Sequence, residues 1–210
     1  MTEFQRARNT EQKTQRLDAI LNAASGLFDQ SRFSEVTIRE IASAAGLGKA
    51  SIYHYFQSKE EVFLALFLLE LNEWIDEFQS RVSALDESNS DKLASLITTM
   101  MVERPRYSRL YSLLSLVLER NVPVDQLREF KTNLLAPFSR LIEILCGALP
   151  HLSPEGASEF LLQFHAVVAG LWPLAHPNQE LADAINTPEL EVFQVDFETS
   201  CHALLVKLLR

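Results

Sequence analysis

Apolar residues recur with the period of an α-helix along nearly the whole chain, and this pattern is the strongest constraint on its fold. In the first such stretch Leu17, Ile20, Ala24 and Phe28 follow helical spacing, which places them on one side of a helix. Alternating runs of β-branched residues, which are typical of strands, are missing, and only 6 of the 210 residues are glycine. The sequence therefore predicts an all-α protein.

The predicted helices are separated by polar or proline-containing breaks. Thr37 with Glu40, and Ser58 with Glu61, have the spacing of capping boxes, which start helices. Pro137 falls inside a predicted helix and removes one backbone donor, so we expect a kink there. Helices with short connections indicate a bundle. The predicted ranges are about 10–30, 37–46, 49–56, 58–84, 91–103, 106–120, 124–148, 155–175 and 188–209.

The formal net charge of −9 is distributed unevenly along the chain. Residues 1–60 hold eight Lys and Arg against seven Asp and Glu, whereas residues 61–210 hold 11 against 21. No Lys or Arg occurs between Arg140 and Lys207. This asymmetry indicates two modules with different partners.

No segment of the sequence predicts secretion or a membrane span. The N-terminal residues have no apolar stretch behind their positive charges, so we expect no signal peptide. Residues 160–175 carry no formal charge, but they are fewer than the roughly 18–20 apolar residues that span a bilayer. Cys146 and Cys201 are too few for a disulfide framework. We therefore expect a cytoplasmic protein that does not contact a membrane.

The most informative segment is residues 37–59, TIREIASAAGLGKASIYHYFQSK. Two short helices separated by Ala-Gly-Leu-Gly predict a helix-turn-helix over 37–56, whose second helix enters the major groove of DNA. Ile52 and Phe56 lie four residues apart and are expected to pack inward, so the opposite face can reach phosphates and base edges. That face carries Lys49, Ser51, Tyr53, His54 and Tyr55, while Thr37 and Arg39 lie at the positive N-terminal end of the preceding helix.

This segment resembles the TetR family of bacterial transcriptional regulators. The resemblance covers about residues 12–73 and implies a helix-turn-helix DNA-binding domain of three helices there. Residues 74–210 would then form a helical domain for ligand binding and dimerisation. Gly48 and Ala50 depart from the residues common in the family at these positions. The matching stretches are Thr37-Ile38-Arg39-Glu40-Ile41-Ala42, Ala45-Gly46-Leu47, Ile52-Tyr53-His54-Tyr55-Phe56 and Ser58-Lys59-Glu60-Glu61.

The resemblance implies roles for individual residues in binding double-stranded operator DNA. Thr37, Arg39, Tyr53 and Lys59 would contact phosphate or position the recognition helix, Lys49, Ala50, Ser51 and Tyr55 would lie nearer the bases, and His54 completes the set. Other interpretations stay open. The two tyrosines could belong to the core, Thr37 caps its helix with or without DNA, and the Lys59 side chain could simply be solvated.

The C-terminal two-thirds of the chain contain no catalytic or metal-binding pattern. The five histidines and two cysteines lack the spacing of metal ligands. Neither a glycine-rich phosphate loop nor a Gly-x-Ser-x-Gly motif is present. We therefore expect no metal, no cofactor and no enzymatic activity.

The TetR resemblance implies a small-molecule pocket within the C-terminal helices. Apolar side chains with a few polar groups are usual in such pockets. Tyr107, Tyr111 and His165 are the candidate polar groups, although aromatic residues at helical spacing form core more often than they line a ligand pocket. The scarcity of Lys and Arg favours a neutral, aromatic or cationic effector. The candidate ligand-binding residues are Trp74, Phe78, Tyr107, Tyr111, Phe164, His165 and Trp172, with Phe67 and Phe138 as further lining material.

Small residues on a late helix predict a dimer interface. Glycine inside a helix costs roughly 0.5–1 kcal/mol relative to alanine, so Gly170 requires a packing reason. Ala166 lies one turn earlier on the same face, which lets another helix approach closely. The alternative is that these helices serve only the core of one chain, but the resemblance implies pairing through the last two helices. The candidate interface residues are Ala166, Ala169, Gly170, Val195, Thr199 and His202.

These features together predict a homodimeric repressor that a small-molecule effector releases from a palindromic operator. One alternative is a DNA-binding regulator without an effector, which a protein partner controls or which acts as an activator. A second alternative is an enzyme built on a helical bundle, and the missing catalytic set counts against it.

Overall fold

The structure is a computed structural model that describes the backbone of residues 3–210 and the side chains of residues 11–210. It confirms the all-α fold, with no strand in the described part of the chain. The α-helices are α1 (Glu3–Gln30), α2 (Ile38–Ala44), α3 (Lys49–Ile52), α4 (Lys59–Ser83), α5 (Ser90–Glu103), α6 (Pro105–Leu113), α7 (Val124–Asn133), α8 (Leu135–Ala148), α9 (Pro154–Ala175), α10 (Gln179–Ile185) and α11 (Phe197–Leu208). None of them is both long and apolar enough to span a membrane.

Helix α1 packs against α2 and against the N-terminal half of α4, and α2 packs against α3. Ile20 and Phe28 of α1, Ile41 of α2 and Ile52 of α3 are all fully buried. The ring centroid of Phe63 on α4 lies 5.2 Å from that of Phe28. Each such side chain contributes about 1.5–3 kcal/mol by burial, so this small apolar core holds the short helices α2 and α3 in place.

The remaining helices form a bundle around the C-terminal half of α4. Helix α6 packs against α9, α11 packs against both α5 and α9, and α8 packs against α4 and α9. Stacked aromatic rings fill the interior, among them Trp74 and Phe78 with centroids 4.9 Å apart. Because α4 contributes to both cores, the predicted boundary between residues 73 and 74 falls inside one continuous helix.

The predicted helix over 124–148 is two helices, α7 and α8, which meet at Leu134. Proline has no backbone N–H, so Pro137 cannot donate to the carbonyl of residue 133. The regular series of helical hydrogen bonds is therefore interrupted one turn before the proline. The break therefore lies at Leu134, and Pro137 occupies the first turn of α8, where a missing donor costs little.

The predicted helix over 188–209 is also wrong in its first half. Pro188–Phe193 form a 3₁₀ turn, and α11 begins only at Phe197. The side chain of Asp196 accepts from the backbone N–H of Thr199 and starts a new helix there. Helix α10 lies in a stretch that the sequence predicted as a break, and Asn178 caps it in the same way.

Two further helices end earlier than their patterns predict. Helix α3 ends at Ile52, and turns occupy the next three residues. Helix α6 ends at Leu113 and continues as a π-helical segment, Leu114–Leu118, and a 3₁₀ turn, Glu119–Asn121. Such π-helical segments are uncommon and frequently border functional sites.

Candidate DNA-binding surface and ligand cavity

Local interactions stabilise the start of α2 and the turn that leads to α3. Thr37 accepts from the backbone N–H of Glu40 at 3.2 Å, and Glu40 accepts from the backbone N–H of Thr37 at 2.9 Å. Donation from the Thr37 hydroxyl and from the Thr37 backbone N–H to the Glu40 carboxylate lowers the pKa of Glu40. Gly46 has a φ of 68°, a conformation that favours glycine, and it turns the chain between α2 and α3. The local sequence thereby sets the angle of the second helix.

Most of the predicted DNA-binding residues lie together on the outer side of α3 and of the turn that follows it. Lys49, Ala50 and His54 are exposed, and Tyr53 is 37% exposed, whereas Ile52 points into the core. Ser51 is half-buried beside them. This surface combines a cation, hydroxyls and an imidazole, which are groups that bind phosphates and base edges.

Tyr55 does not lie on that outer surface. Its side chain is half-buried against the core and borders a groove between α4 and α7, together with Gln57 and Phe130. Tyr55 follows Ile52 by three residues in a tight turn, so it lies near the buried side rather than opposite it. The structure thus separates Tyr55 from Tyr53 and His54.

Lys59 directs its ammonium group into the protein rather than outward. Its Nζ donates to the carbonyl oxygens of Phe33 at 2.7 Å and Val36 at 2.8 Å. It also lies 4.3 Å from the centroid of the Phe33 ring. These contacts connect the start of α4 to the loop before α2. They give Lys59 a structural function, whereas the resemblance implied that it contacts phosphate or positions the recognition helix.

Thr37 and Arg39 lie at the start of α2 and are both exposed. The Thr37 hydroxyl donates to Oε2 of Glu40 at 2.8 Å in addition to capping the helix. The hydroxyl and the backbone N–H of Thr37 therefore both donate within the chain, to the same carboxylate. Arg39 keeps an exposed guanidinium on the same end of the helix-turn-helix.

A cavity of about 930 Å³ opens between α4, α6, α7, α8 and α9. Its volume lies at the upper end of the range usual for small-molecule sites. The π-helical segment after α6 forms one wall through Leu114 and Ser115. The apolar lining consists of Phe67, Leu71, Tyr111, Leu114, Leu134, Phe138, Leu141, Pro154, Leu161 and Leu162.

Tyr111 and His165, two of the three predicted polar groups, both line this cavity. Their ring centroids lie 5.1 Å apart, and Nε2 of His165 lies 3.2 Å from the Ser115 hydroxyl. Burial lowers the pKa of His165 and raises the pKa of the Tyr111 phenol. Both side chains are therefore uncharged at neutral pH, and they offer hydrogen bonds rather than charge.

The cavity also has a charged side that the sequence analysis missed. Nζ of Lys131 lies 2.6 Å from Oε1 of Glu119, and both residues line the cavity. They belong to separate elements 12 residues apart, so no helical spacing relates them. Glu155 and Glu159 begin α9 one turn apart, a signal that the sequence does show, and with Ser158 they complete the polar lining.

Four of the predicted ligand-binding residues lie behind the cavity wall instead. Trp74, Phe78, Tyr107 and Phe164 are buried and surround a void of only about 20 Å³, which is room for a single water molecule. They pack against one another because the two large rings of α4 fill the centre of the bundle. The indole Nε1 of Trp74 is buried there without a hydrogen-bond partner among the described residues.

Trp172 lies away from the cavity altogether. Its ring stacks on His176, with centroids 3.9 Å apart, and meets Phe197 edge-on at 4.9 Å. It follows His165 by seven residues on α9, which is about 10 Å along the helix axis. Helical spacing puts both residues on one side of α9, but the length of the helix carries Trp172 past the end of the cavity.

The predicted interface residues lie at the surface of the single chain. Ala166, Gly170 and Thr199 are exposed, and Ala169, Val195 and His202 are partly exposed. A Cβ atom added to Gly170 would meet no atom within 4 Å. The close helix crossing that Gly170 predicts is therefore not made within the chain.

Two arginines of α6 connect the cavity wall to the C-terminal end of α1, the helix against which α2 packs. Arg106 pairs with Asp29 of α1 at 2.7 Å and with Glu70 of α4, which is buried. Arg109 donates to the carbonyl oxygens of Phe28 at 2.9 Å and Ser31 at 3.0 Å. The same helix carries Tyr111 on the cavity wall. One short helix thus contacts both the cavity and α1.

Comparisons with known proteins cover both parts of this architecture. Residues 20–66 match the model described as bacterial regulatory proteins, tetR family, and residues 68–210 match that of the tetracyclin repressor-like C-terminal domain. An uncharacterized HTH-type transcriptional regulator of Mycobacterium tuberculosis (strain ATCC 25618 / H37Rv) is 33% identical over 103 residues, which are 49% of this chain and 50% of that protein. The HTH-type transcriptional repressor KstR2 of Rhodococcus jostii is 31% identical over 93 residues, 44% of this chain and 45% of the repressor. The chain thus spans about half the length of the curated relatives it matches.

Solved structures share the fold over most of the chain. A TetR-family transcriptional regulator from Streptomyces coelicolor has a TM-score of 0.63 at 18% identity and covers 92% of this chain and 97% of its own. FadR from Bacillus subtilis, solved in complex with stearoyl-CoA, has a TM-score of 0.55 at 15% identity, with coverage of 90% and 96%. Because the C-terminal model alone matches residues 68–210, well over half of the chain, this protein belongs to the TetR family.

Proposed function

We propose that this protein is a homodimeric transcriptional repressor that binds operator DNA in the bacterial cytoplasm and is released by a small-molecule effector. Its named relatives are transcriptional regulators, and the proposal assigns it regulation rather than catalysis. Residues 12–73 would form the DNA-binding domain and residues 74–210 the ligand-binding and dimerisation domain, with α4 shared between them.

The DNA-binding half of the proposal is supported by the exposed surface of α3 and of the turn after it. Lys49, Tyr53 and His54 present polar groups beside Ala50, and Arg39 adds a cation at the end of α2. A homodimer would place two such surfaces about one turn of DNA, roughly 34 Å, apart. The operator would then be a palindrome whose half-sites match that spacing.

The dimer is supported by an exposed stripe on α9. Leu162, Ala166, Gly170 and Leu174 follow one another at four-residue intervals and are all exposed, with Leu162 and Leu174 at 69% and 59%. Two large apolar side chains flanking two small ones suit close packing against a second copy. The neighbouring Thr199 and partly exposed His202 on α11 would extend this interface.

The strongest support for a ligand response is that α6 touches both the cavity and the DNA-binding domain. A ligand that moved Tyr111 would also move Arg106 and Arg109, which hold the end of α1. The ligand would release DNA to the extent that it binds one arrangement of α6 better than the other.

The proposal is tested by sequencing the genomic fragments that the purified protein retains. We expect a palindromic site, a complex of two chains with one site, and loss of that complex when a cavity ligand is added. The proposal would be contradicted if the protein retained no specific DNA sequence, or if it did not bind its site as a dimer. If the protein binds a specific operator and no cavity ligand weakens that binding, the result would instead support a DNA-binding regulator without an effector.

A further inference from the structure

We propose that the effector is an amphipathic organic cation, with an apolar body inside the cavity and an ammonium group near the acidic rim, Glu155 and Glu159. The inference rests on the proposed function, because it names the chemical class of the ligand for that same cavity. It is carried by the distribution of charge around the lining.

The lining contains three carboxylates and one cation among the described residues. Glu119, Glu155 and Glu159 face a single Lys131, which leaves the cavity with a net charge of about −2 at neutral pH. His165 does not alter this charge, because burial lowers its pKa. The potential inside a partly enclosed, low-dielectric site therefore favours a positive group.

The one cation of the lining is already paired. Lys131 lies 2.6 Å from Glu119, whose side chain is only 16% exposed. An anionic ligand that recruited Lys131 would leave the Glu119 carboxylate without its partner in a partly buried place, which is costly. A cationic ligand leaves this ion pair intact, so the cavity favours a cationic ligand over an anionic one.

The two carboxylates of the acidic rim are exposed to solvent, so a cation can reach them. Glu155 and Glu159 are exposed and lie one turn apart at the start of α9. Hydrogen bonds from its own backbone N–H and from Ser153 lower the pKa of Glu155, so this carboxylate stays ionised. Oε1 of Glu159 accepts from Nε2 of Gln163 at 3.0 Å, and the exposed carboxylate can also reach a ligand at the opening.

Aromatic rings that line the same cavity suit such a ligand. Phe138 lines the cavity and is 39% exposed, while Phe67 and Tyr111 line its buried side. Aromatic faces attract ammonium groups at close range, and the aliphatic lining from Leu71 and Leu141 suits a hydrocarbon body. The cavity of about 930 Å³ has room for a chain of ten carbons.

The test compares three probes that share a ten-carbon chain: decylammonium, decanol and decanoate, each below the concentration at which micelles form. Isothermal titration calorimetry with the full-length protein measures the three dissociation constants. We expect decylammonium to bind most tightly, decanol less tightly and decanoate least. Decylammonium should also dissociate the complex with operator DNA.

Two variants, one that removes a negative charge from the lining and one that removes the positive charge, distinguish electrostatic from hydrophobic contributions to binding. Glu159→Gln should weaken decylammonium binding by up to about fivefold, the range of an exposed ion pair, and leave decanol unchanged. Lys131→Met should strengthen decylammonium binding and weaken decanoate binding. Glu180→Gln, an exposed acid in the first turn of α10 and outside the cavity, is the matched control. Thermal denaturation verifies that each variant is folded.

Decanoate binding at least as tightly as decylammonium would overturn the inference, and operator release by decanoate would leave the proposed function standing. Binding of none of the probes would overturn the inference as well. A protein that fails to bind a specific operator in the absence of any probe would instead contradict the proposed function, whichever probe the cavity prefers.

Discussion

Arg109 lies over the ring of Phe28, with its guanidinium carbon 4.1 Å from the ring centroid, and its Nη1 donates to the Phe28 carbonyl oxygen at 2.9 Å. Phe28 is fully buried and lies in the last turn of α1. A cation at the C-terminal end of a helix satisfies carbonyls that have no partner within the helix. Arg109 therefore fastens α1 of the DNA-binding domain to α6, the helix that lines the cavity.

Replacing Arg109 with Met is expected to weaken the connection between the two candidate sites. The aliphatic stem still covers Phe28, but the hydrogen bonds to Phe28 and Ser31 are lost, at a cost of about 1.5–3 kcal/mol of unfolding free energy. Effector binding should change little, whereas the effect of the effector on operator affinity should shrink. Calorimetry and operator titration measure the two quantities. Arg128→Met, on the exposed side of α7, is the control, and an unchanged effector response in Arg109→Met would refute the coupling.

Lys59→Met distinguishes a structural lysine from one that contacts DNA. Loss of the donors to Phe33 and Val36 should lower the unfolding free energy by about 1.5–3 kcal/mol. Chemical denaturation without DNA measures this loss, and Lys92→Met on α5 serves as the comparison. A variant of wild-type stability that binds operator with a smaller salt dependence would show a phosphate contact instead.

Lys49→Ala is expected to reduce operator affinity by about 1–3 kcal/mol without changing helix content or stability. Lys49 is exposed on the outer surface of α3. If its ammonium group binds phosphate, the slope of log affinity against log salt should fall by about one. Fluorescence anisotropy at several salt concentrations measures both quantities, with Lys92→Ala as control. Equal affinity and slope in the variant and the wild type would remove Lys49 from the DNA-binding surface.

Gly170→Leu is expected to shift the dimer toward monomer and to weaken operator binding at the same time. The added side chain has open space within the chain, so the variant should fold, but it would occupy the space of a closely packed second copy. Sedimentation velocity measures the oligomeric state. Gly147→Leu is the matched control, since Gly147 is also an exposed helical glycine with open space around it. A fully dimeric Gly170→Leu variant would move the interface elsewhere.

The ion pairs of Glu77 predict a dependence of stability on pH. Hydrogen bonding to Arg104 is the main reason why the pKa of Glu77 lies below its ordinary value of 4.5. A lowered folded-state pKa stabilises the protein above the ordinary value, and the stabilisation disappears as the pH falls through the folded-state pKa. Glu77→Gln should therefore cost at most about 1 kcal/mol near pH 7 for this partly exposed pair.

Urea denaturation of wild type and Glu77→Gln at neutral pH and at about pH 3 measures this difference. The gap between the two proteins should narrow at the lower pH, because the wild-type carboxylate becomes protonated. Glu189→Gln, an exposed acid in a 3₁₀ turn, should show no such gap. A difference that stays constant with pH would mean that packing, and not charge, explains the effect of Glu77.

The local sequence predicted the helix-turn-helix well because its signals are local. The capping residues Thr37 and Ser58 have their partners three residues away, and Gly46 is the only residue in the described chain with a positive φ. Apolar spacing also placed Ile52 in the core and Lys49 outside it. Interactions of this range are decided within one or two turns, so the amino-acid order alone contains them.

The residues that line the ligand cavity could not be predicted from such local signals. Spacing could not tell Tyr111, which lines the cavity, from Tyr107, which is buried one turn away. It also could not pair Lys131 with Glu119, or direct Lys59 to the carbonyl of Phe33, 26 residues earlier.

The sequence by itself thus determined the all-α class, the starts of α2 and α4, the turn between α2 and α3, and the family. Only the tertiary structure decided which aromatic rings pack together and which surround a cavity, because that depends on how far apart helices distant in sequence come to lie when their large side chains fill the centre of the bundle.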